Sequence, residues 1–462
     1  MDEDARFAGT ARTPFWPETI PETDAAPPLT ADILCDLAII GGGFTGLWAA
    51  LKARERSPDA KIALLEATRC GAAASGRNGG FCAPSISHGV CNAVSRWPKE
   101  AERLVRLGRE NLDGLQEDLT RYGIDCEFER AGKLNLAATP WQADGLKAMQ
   151  AAYARFGIES SYIEGDSLNE KFRSPKYHAG LYEPNYATVN PGKLVAGLRQ
   201  ACLDRGIVLY EDTPVSSLDR TSWGMRLTTP QAVMSARQAV MATNAAVPLL
   251  KRFRMSIIPV FDYTLVTEPL SDEQFAAMGW GGRYGIADSG NRFHYCRKTA
   301  DNRILWGGFD AIYHYGSGRD RAFLHRPASY ARLGANFAEA FPALSDVSFT
   351  HAWGGIIDTS ARTTFFAGTA FGGCLAYALG FTGQGVSAAR FAALAMLDML
   401  DGRHTERTGL RMLRSWAVPF PPEPLRSMAV KQVQKDLARE DRTGYRSVLL
   451  RTLDRFGIGF AS

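Results

Sequence analysis

Ile39-Ile40-Gly41-Gly42-Gly43-Phe44-Thr45-Gly46-Leu47-Trp48 is the stretch that decides the fold of this chain. Its Gly41-x-Gly43-x-x-Gly46 spacing follows an apolar run at residues 33–37 and opens a predicted helix. A second predicted strand, residues 61–65, then delivers Glu66, 20 residues after the last glycine. Glycine-rich turns are common, so the spacing alone is weak. The complete strand–turn–helix–strand–acid unit is specific for a dinucleotide site. Gly41 allows the tight turn, Gly43 lets backbone approach a pyrophosphate, and Gly46 lets helix and strand pack closely. Phe44 and Thr45 open the helix, where free N–H groups and the positive dipole end favour phosphate. Glu66 would accept hydrogen bonds from ribose hydroxyls and disfavour a 2′-phosphate, which points to FAD or NAD rather than NADP. The competing reading is an ordinary βαβ unit with glycines at a tight turn.

Composition narrows the class. At 462 residues the chain can hold two or three domains. Hydrophobic content of 45% with 22% charge is that of an ordinary globular enzyme. A formal charge of +4 is too small for a dedicated nucleic-acid binder. From Arg403 onward twelve Lys/Arg stand against six Asp/Glu, read as a solvated helical tail, with a partner or membrane-surface patch as the alternative. Eight cysteines form no CxxC pair, and no metal site is expected. Reduced cysteines and the acidic Met1-Asp2-Glu3-Asp4 start, which lacks the apolar core of a signal peptide, predict a cytoplasmic protein. No apolar stretch reaches the roughly 18 residues of a membrane span.

Residues 1–30, rich in Pro, Thr and acid, read as an extended arm over the surface. Helical patterns follow at 99–122, 143–156, 191–205 and 386–400, with strand patterns at 127–137, 207–210, 225–227, 239–241, 263–267, 292–297, 303–307, 365–368 and 374–379. The interleaving predicts an α/β fold (α+β overall) made of two non-contiguous domains. A nucleotide-binding domain takes 31–98, 175–254 and 346–402, and a smaller, more antiparallel domain takes 99–174 and 255–345. The helical tail is 403–462.

Two further glycine clusters carry chemistry. Ala74-Ser75-Gly76-Arg77-Asn78-Gly79-Gly80 follows the ribose acid, and its glycines would let backbone pass close to a flat ring. Arg77 and Asn78 add donors for pyrophosphate or ring carbonyls; a flexible surface loop is the alternative. Gly380-Phe381-Thr382-Gly383-Gln384-Gly385 starts the last long helix, where N–H groups would face an anion such as the N1–C2=O edge of a reduced flavin. Its plainer reading is a turn into a core helix.

These segments, with Ala242-Thr243-Asn244 and Trp353-Gly354-Gly355-Ile356-Ile357-Asp358, occur in one order that resembles the FAD-dependent D-amino-acid oxidase/glycine oxidase/sarcosine oxidase superfamily. Ser75 to Gly80 and Thr299-Ala300-Asp301-Asn302-Arg303-Ile304-Leu305-Trp306-Gly307-Gly308 look most like its γ-glutamylputrescine oxidase and aminophosphonate oxidoreductase branch. The resemblance spans about residues 14 to 424. It implies a Rossmann-like FAD-binding domain interleaved with a substrate domain, and oxidation of a C–N bond to an imine that water hydrolyses. By motif match Gly41, Gly43 and Gly46 take the pyrophosphate, Glu66 the ribose, and Val215 the adenine through its backbone. Gly76 to Gly80 follow the phosphate–flavin path, Gly355 belongs to the cofactor site, and Gly380, Thr382, Gly383, Gln384, Gly385 and Val386 surround the flavin O2 edge. Relatives with covalent flavin carry a Cys or His that is missing from Trp353-Gly354-Gly355 and Asn78-Gly79-Gly80, so non-covalent FAD is expected. Thr359-Ser360-Ala361-Arg362-Thr363-Thr364-Phe365 also departs from the D-x-x-P-x-x-G pattern of many relatives.

Hydride transfer from a neutral amine needs a pocket, orientation and cofactor electrostatics rather than a triad. His294, Tyr295 and Arg297 share a predicted strand, with Tyr295 and Arg297 on one face and His294 on the other. Tyr295, Arg297 and Arg362 are candidates for holding a substrate's polar group, and His294 for a catalytic role; structural roles compete for each. The expected partners are a small-molecule amine and either O2 or an external electron acceptor. Oligomeric state is left open. The rivals are a flavin monooxygenase or NAD(P)H-linked reductase, for which no second GxGxxG is present, and a non-catalytic protein that retains flavin.

Overall fold

From Leu37 onward strand Ile33–Ile40 is buried on both faces, which suits the middle of a parallel sheet covered on both sides. It pairs in parallel with Ile62–Leu65 and Val233–Met241, and Val208–Tyr210 and Leu375–Leu379 extend the array on either flank. Five strands thus run the same way. Phe366–Ala370 lies antiparallel beside Leu375–Leu379, and Ser217–Arg220 with Met225–Thr228 forms an antiparallel meander on Val233–Met241. The computed structural model describes residues 5–415 and 417–459, and the acidic start at Met1-Asp2-Glu3-Asp4 lies outside them.

Alternation along these strands fixes the two layers. Leu37, Ile39, Ile62 and Leu64 face the helices Phe44–Arg56, Ala101–Tyr122, Pro191–Asp204 and Gly385–Leu400. Ala38, Ile40, Ala63 and Leu65 face the meander side, with Met225, Leu227 and Phe253. Small buried residues on Gly385–Leu400, among them Ala388, Ala389, Ala392 and Ala393, let it lie close against Phe44–Arg56. Asp118, 1% exposed, joins three helices by accepting from Lys52 at 2.6 Å and Arg390 at 2.6 Å. Removing one cation would leave a buried carboxylate short of a partner, a loss of about 3–5 kcal/mol for such pairs.

The second sheet has the order Phe349–Ser360, Ile257–Thr267, Ile304–Gly308, His294–Lys298, Gly285–Asp288, Lys133–Ala137, Ala179–Glu183, Ser161–Glu164. All its pairings are antiparallel except Gly285–Asp288 with Lys133–Ala137. One face carries Leu265, Trp306 and Leu134 into a core with helix Pro327–Ala340. The other face is turned toward the glycine loop at 76–80.

Three sequence expectations need correction. The strand expected over 127–137 begins only at Lys133, because Glu127 and Gly132 adopt φ of +55° and +88° and break the extended run. The boundaries at 174/175 and 345/346 fall on the wrong side of strands, since Ala179–Glu183 and Phe349–Ser360 both belong to the second sheet. The described part of the arm, residues 5–30, is not a surface strap. Phe7, Phe15, Trp16, Ala26 and Leu29 are buried, Trp16 to 1% exposure. Ala11 and Ala352 exchange backbone bonds with Thr350 and Ala11 at 2.8 and 2.9 Å, and Ala26 N and Leu29 N donate to Glu211 and Thr213 side chains. The polar composition concealed a few aromatic anchors. The basic tail does form helices, Leu425–Thr443 and Val448–Arg455. Among the described residues no helix is long and apolar enough to cross a membrane.

Trp16 also donates its indole N–H to the Asn78 carbonyl at 2.8 Å. Trp16→Ala should lower unfolding stability by about 3–5 kcal/mol, the usual loss for a buried aromatic. A urea titration followed by circular dichroism checks this; a loss under about 1 kcal/mol would reduce the arm to a bystander.

Candidate active site

The five parallel strands end along one edge, and the residues that follow them directly are Gly41, Glu66, Glu211, Ala242 and Gly380. In open α/β sheets that edge is where ligands bind. Gly41 has φ +109°, and a Cβ on it would stand 2.5 Å from the Ala242 carbonyl oxygen. A Cβ on Gly46 would stand 1.9 Å from the Gly41 oxygen, so only glycine lets the helix dock here. Gly43 caps the helix without a side-chain bond. The Phe44 N–H, next to Thr45, donates to Ser75 Oγ at 2.9 Å. Glu66 accepts from Gly42 N at 2.7 Å and from Thr68 N at 3.0 Å, which aims its carboxylate along the turn. Thr213 N donates to the Glu66 carbonyl at 2.8 Å and brings the half-buried Val215 segment alongside. Thr243 Oγ1 and Asn244 Oδ1, at the end of the central strand, are buried without a hydrogen-bond partner.

The loop at 74–80 is held from within, and this corrects the reading of two side chains. Ala74, Ser75 and Gly76 form a 3-10 turn, and a Cβ on Gly76 would stand 2.4 Å from the Gly71 oxygen. Arg77 donates to the Ala72 and Gly354 carbonyls at 2.9 and 3.0 Å, and Asn78 to the Ala74 and Ser75 carbonyls at 3.0 and 2.8 Å. Their donors shape the loop rather than face a ligand. Trp353 Nε1 donates to the Arg77 carbonyl at 2.9 Å, and Gly355, two residues further along the strand of Trp353, lies next to the Arg77 side chain. Gly79 abuts the Tyr295 ring, where a Cβ would come within 2.9 Å.

The third turn hangs on a carboxyl group. Asp358 Oδ2 accepts from Gly380 N at 2.6 Å, and its carbonyl accepts from Thr382 N at 3.2 Å. Thr382 Oγ1 in turn accepts from Ser360 N at 3.1 Å. Burial pushes the Asp358 carboxyl up to about 7, against the pull of the N–H groups bonded to it. Gly380, Thr382 and Gly383 all have positive φ, and a Cβ on Gly383 would meet nothing within 4 Å. That open space lies directly before Gln384, which gives helix Gly385–Leu400 no side-chain cap, and before the buried Val386.

Of the four candidate catalytic side chains, the structure turns three away. His294 is on the opposite face, 2% exposed and stacked on Trp306 and Phe309 with centroids at 4.3 and 5.0 Å. Burial holds it neutral, with its pKa down to about 3. Arg297 is on the expected face but fully buried, bonding the Val189 carbonyl under Trp16, and its Nε and Nη2 are closed off without a partner. Arg362 is 5% exposed and spends its guanidinium on the carbonyls of Phe365, Met412 and Ser415. It splints the divergent loop, with each of its guanidinium nitrogens already engaged by protein oxygens. Tyr295 remains: it touches Gly79 and hydrogen-bonds Asp262 Oδ2 at 2.8 Å and Thr264 Oγ1 at 3.0 Å. Burial raises Asp262 to about 6 against the bond from Tyr295.

Asp262 and Asp358 were not singled out as site residues by the sequence. For Asp262 the available signal was alternation in Phe261-Asp262-Tyr263-Thr264, which puts an acid and a hydroxyl on one face of a strand. Among the described residues no group of His, Cys, Asp and Glu forms a metal site, and all eight cysteines are free.

A parallel sheet whose edge carries two glycine turns at helix starts, roofed by a second sheet, is the arrangement of an α/β dinucleotide-binding protein. The chain belongs to the FAD dependent oxidoreductase family, DAO, whose model matches residues 36–399. It is 30% identical to the Probable oxidoreductase OrdL of Rhizobium meliloti over 88% of this chain and 92% of that one. It is 28% identical to the Gamma-glutamylputrescine oxidoreductase of Escherichia coli over 81% of this chain and 85% of that one. Among solved structures it resembles glycine oxidase from Geobacillus kaustophilus with TM-score 0.69 at 21% identity, covering 81% and 96% of the two chains. The cofactor of this oxidoreductase is FAD. The uncapped helix start at Gly43 and the open approach at Gly383 fit its pyrophosphate and flavin ends.

Asp358→Ala should leave the fold intact but loosen the Gly380 turn, with FAD affinity falling about tenfold, the scale of one lost charged hydrogen bond. Equilibrium release of FAD, followed by its fluorescence, measures this; unchanged affinity would separate Asp358 from the cofactor.

Proposed function

We propose that this enzyme oxidises the C–N bond of a primary or secondary amine or amino acid to an imine, which water then hydrolyses. FAD is held non-covalently. Gly41, Gly43, Phe44, Thr45 and Gly46 take its pyrophosphate, Glu66 its ribose and Val215 its adenine. The backbone of 74–80 and 380–386 frames the ring. Bound FAD supplies the hydride acceptor, flavin N5. The names of two relatives, a γ-glutamylputrescine oxidoreductase and a glycine oxidase, support amine chemistry. The observation that carries the reading is the Tyr295–Asp262 pair, which faces the glycine loop from the second sheet.

An ammonium has no lone pair to expel a hydride, so the bound amine must first lose a proton. Asp262 is placed for that step. Its carboxyl sits beside Gly355 in sheet register, with the Tyr295 hydroxyl bonded to one oxygen. Tyr295 holds the carboxylate in position and closes one side of the space with its ring. The electrons then pass to O2 or to an external acceptor.

Because burial raises Asp262 to about 6, it is charged above that pH and neutral below it. The amine-oxidising rate should therefore fall as pH drops through about 6, and Asp262→Asn should flatten that limb while lowering kcat/KM by about 100-fold. The reading as a whole is tested by anaerobic mixing with sarcosine, D-amino acids, γ-glutamylated amines and aminophosphonates. Bleaching of the flavin absorbance by at least one, and recovery in air or with a dye, is the expected result. If every amine leaves the flavin oxidised while NADH or NADPH bleaches it, the enzyme is a nicotinamide-linked reductase or monooxygenase instead.

A further inference from the structure

Helices Leu425–Thr443 and Val448–Arg455 lie beyond the stretch that the family model matches, and both are held against the rest of the chain. Asp441 accepts from Asn291 N at 2.7 Å and from Arg292 N at 3.0 Å. A Cβ on Gly444 would stand 3.1 Å from the Trp141 ring, and Arg96 donates to the Gly457 and Gly459 carbonyls. Leu450 is 3% exposed and faces inward. The helical period then turns Val448, Thr452 and Arg455 outward, with Arg451 on one flank and Leu449 and Phe456 on the other. Exposure follows that period, reaching 67% at Val448 and 71% at Phe456. On Leu425–Thr443 the spacing of Lys435, Arg439 and Arg442 makes one exposed row. Tyr445 joins the two helices, its ring centre 5.1 Å from Arg439 Cζ and 5.9 Å from Arg451 Cζ.

Charge on this surface is sorted by sign. Asp436 accepts from Gln432 and Ser447, Glu440 from Asn291 and Arg446, and Asp454 from Arg446. With Asp441, every acid of the two helices is therefore engaged within the protein. Arg426 and Arg446 are likewise spent on protein oxygens. Lys431, Lys435, Arg439, Arg442, Arg451 and Arg455 are exposed, and among the described residues none of the six forms an ion pair. Free cations thus alternate with bare aliphatic and aromatic side chains. A bilayer interface uses both, since arginines meet anionic headgroups while Val448, Leu449 and Phe456 enter the boundary with the acyl chains. A nucleic acid would take the cations and leave those three side chains in water. A second copy of the same face would set cation against cation.

We propose that the surface centred on Tyr445 binds membranes that carry anionic phospholipid. The attachment is peripheral and reversible, and it needs no spanning segment. Each cation brought to such a surface raises the partition about fivefold.

Sedimentation of the full-length, FAD-loaded enzyme with lipid vesicles tests this. It should pellet with vesicles of equimolar phosphatidylcholine and phosphatidylserine, but not with phosphatidylcholine alone. Salt at about 1 M, which shortens the screening length to about 3 Å, should release most of it. Arg439→Gln combined with Arg451→Gln should lower the partition by about tenfold or more. Phe456→Ser should lower it by about fivefold or more while the preference for phosphatidylserine persists. FAD content and circular dichroism should stay those of the wild type in both. If either variant does not fold, Lys435→Gln combined with Arg455→Gln gives the same comparison. An enzyme that stays in solution beside anionic vesicles, or a double variant that pellets as the wild type does, would overturn the proposal. Binding to polyglutamate or duplex DNA that matches vesicle binding, and that Phe456→Ser does not weaken, would also overturn it and assign the face to a dissolved polyanion.

Discussion

The contact between Gly46 and the Gly41 carbonyl sets the rest of the structure. A side chain at position 46 would need to occupy the space 1.9 Å from that oxygen, so helix Phe44–Arg56 meets its sheet only because glycine stands there. Once docked, the helix offers its Ala-rich flank to Gly385–Leu400, and the two helix starts reach the same sheet edge. Two helix starts without side-chain caps, at Gly43 and Gln384, thereby reach one sheet edge, as the proposed placement of FAD requires. Asp118, shared between Lys52 and Arg390, ties the same two helices to Ala101–Tyr122 part-way along their length.

The second sheet contributes through parity. Side chains that alternate along His294–Lys298 divide between a helix-packed core and the face of the glycine loop. His294 and Tyr295, adjacent in sequence, end in unrelated surroundings for this reason alone. The face toward the loop is sparsely polar, carrying Asp262, Thr264 and Tyr295 near one end and Lys133 with Glu183 at the other.

The cofactor half was legible in the sequence because its constraints are local. Gly41, Gly43 and Gly46 lie within one turn, Glu66 closes the next strand, and Gly380 to Gly385 precede a strongly apolar helix. The catalytic half was not, since Arg297 and Arg362 look available in sequence, yet Arg297 is sealed in the core against the Val189 carbonyl and Arg362 is used up by carbonyls from Met412 and Ser415. Nothing in the residues near an arginine announces which distant backbone will claim it. Asp262 was hidden for the opposite reason: it stands alone in its strand, and only the packing of the second sheet brings it to Tyr295. The buried arm was missed because Phe15 and Trp16 are few among prolines, threonines and acids, although two rings suffice to anchor it.

That arm has a mechanical consequence. Between Ala11, bonded to Thr350 on the second sheet, and Leu29, bonded to Thr213 just past a strand of the first, the chain is pinned by Trp16 to the Asn78 carbonyl of the glycine loop. It acts as a tether across the two sheets, so a wide hinge opening between them would have to extract an indole from the interior.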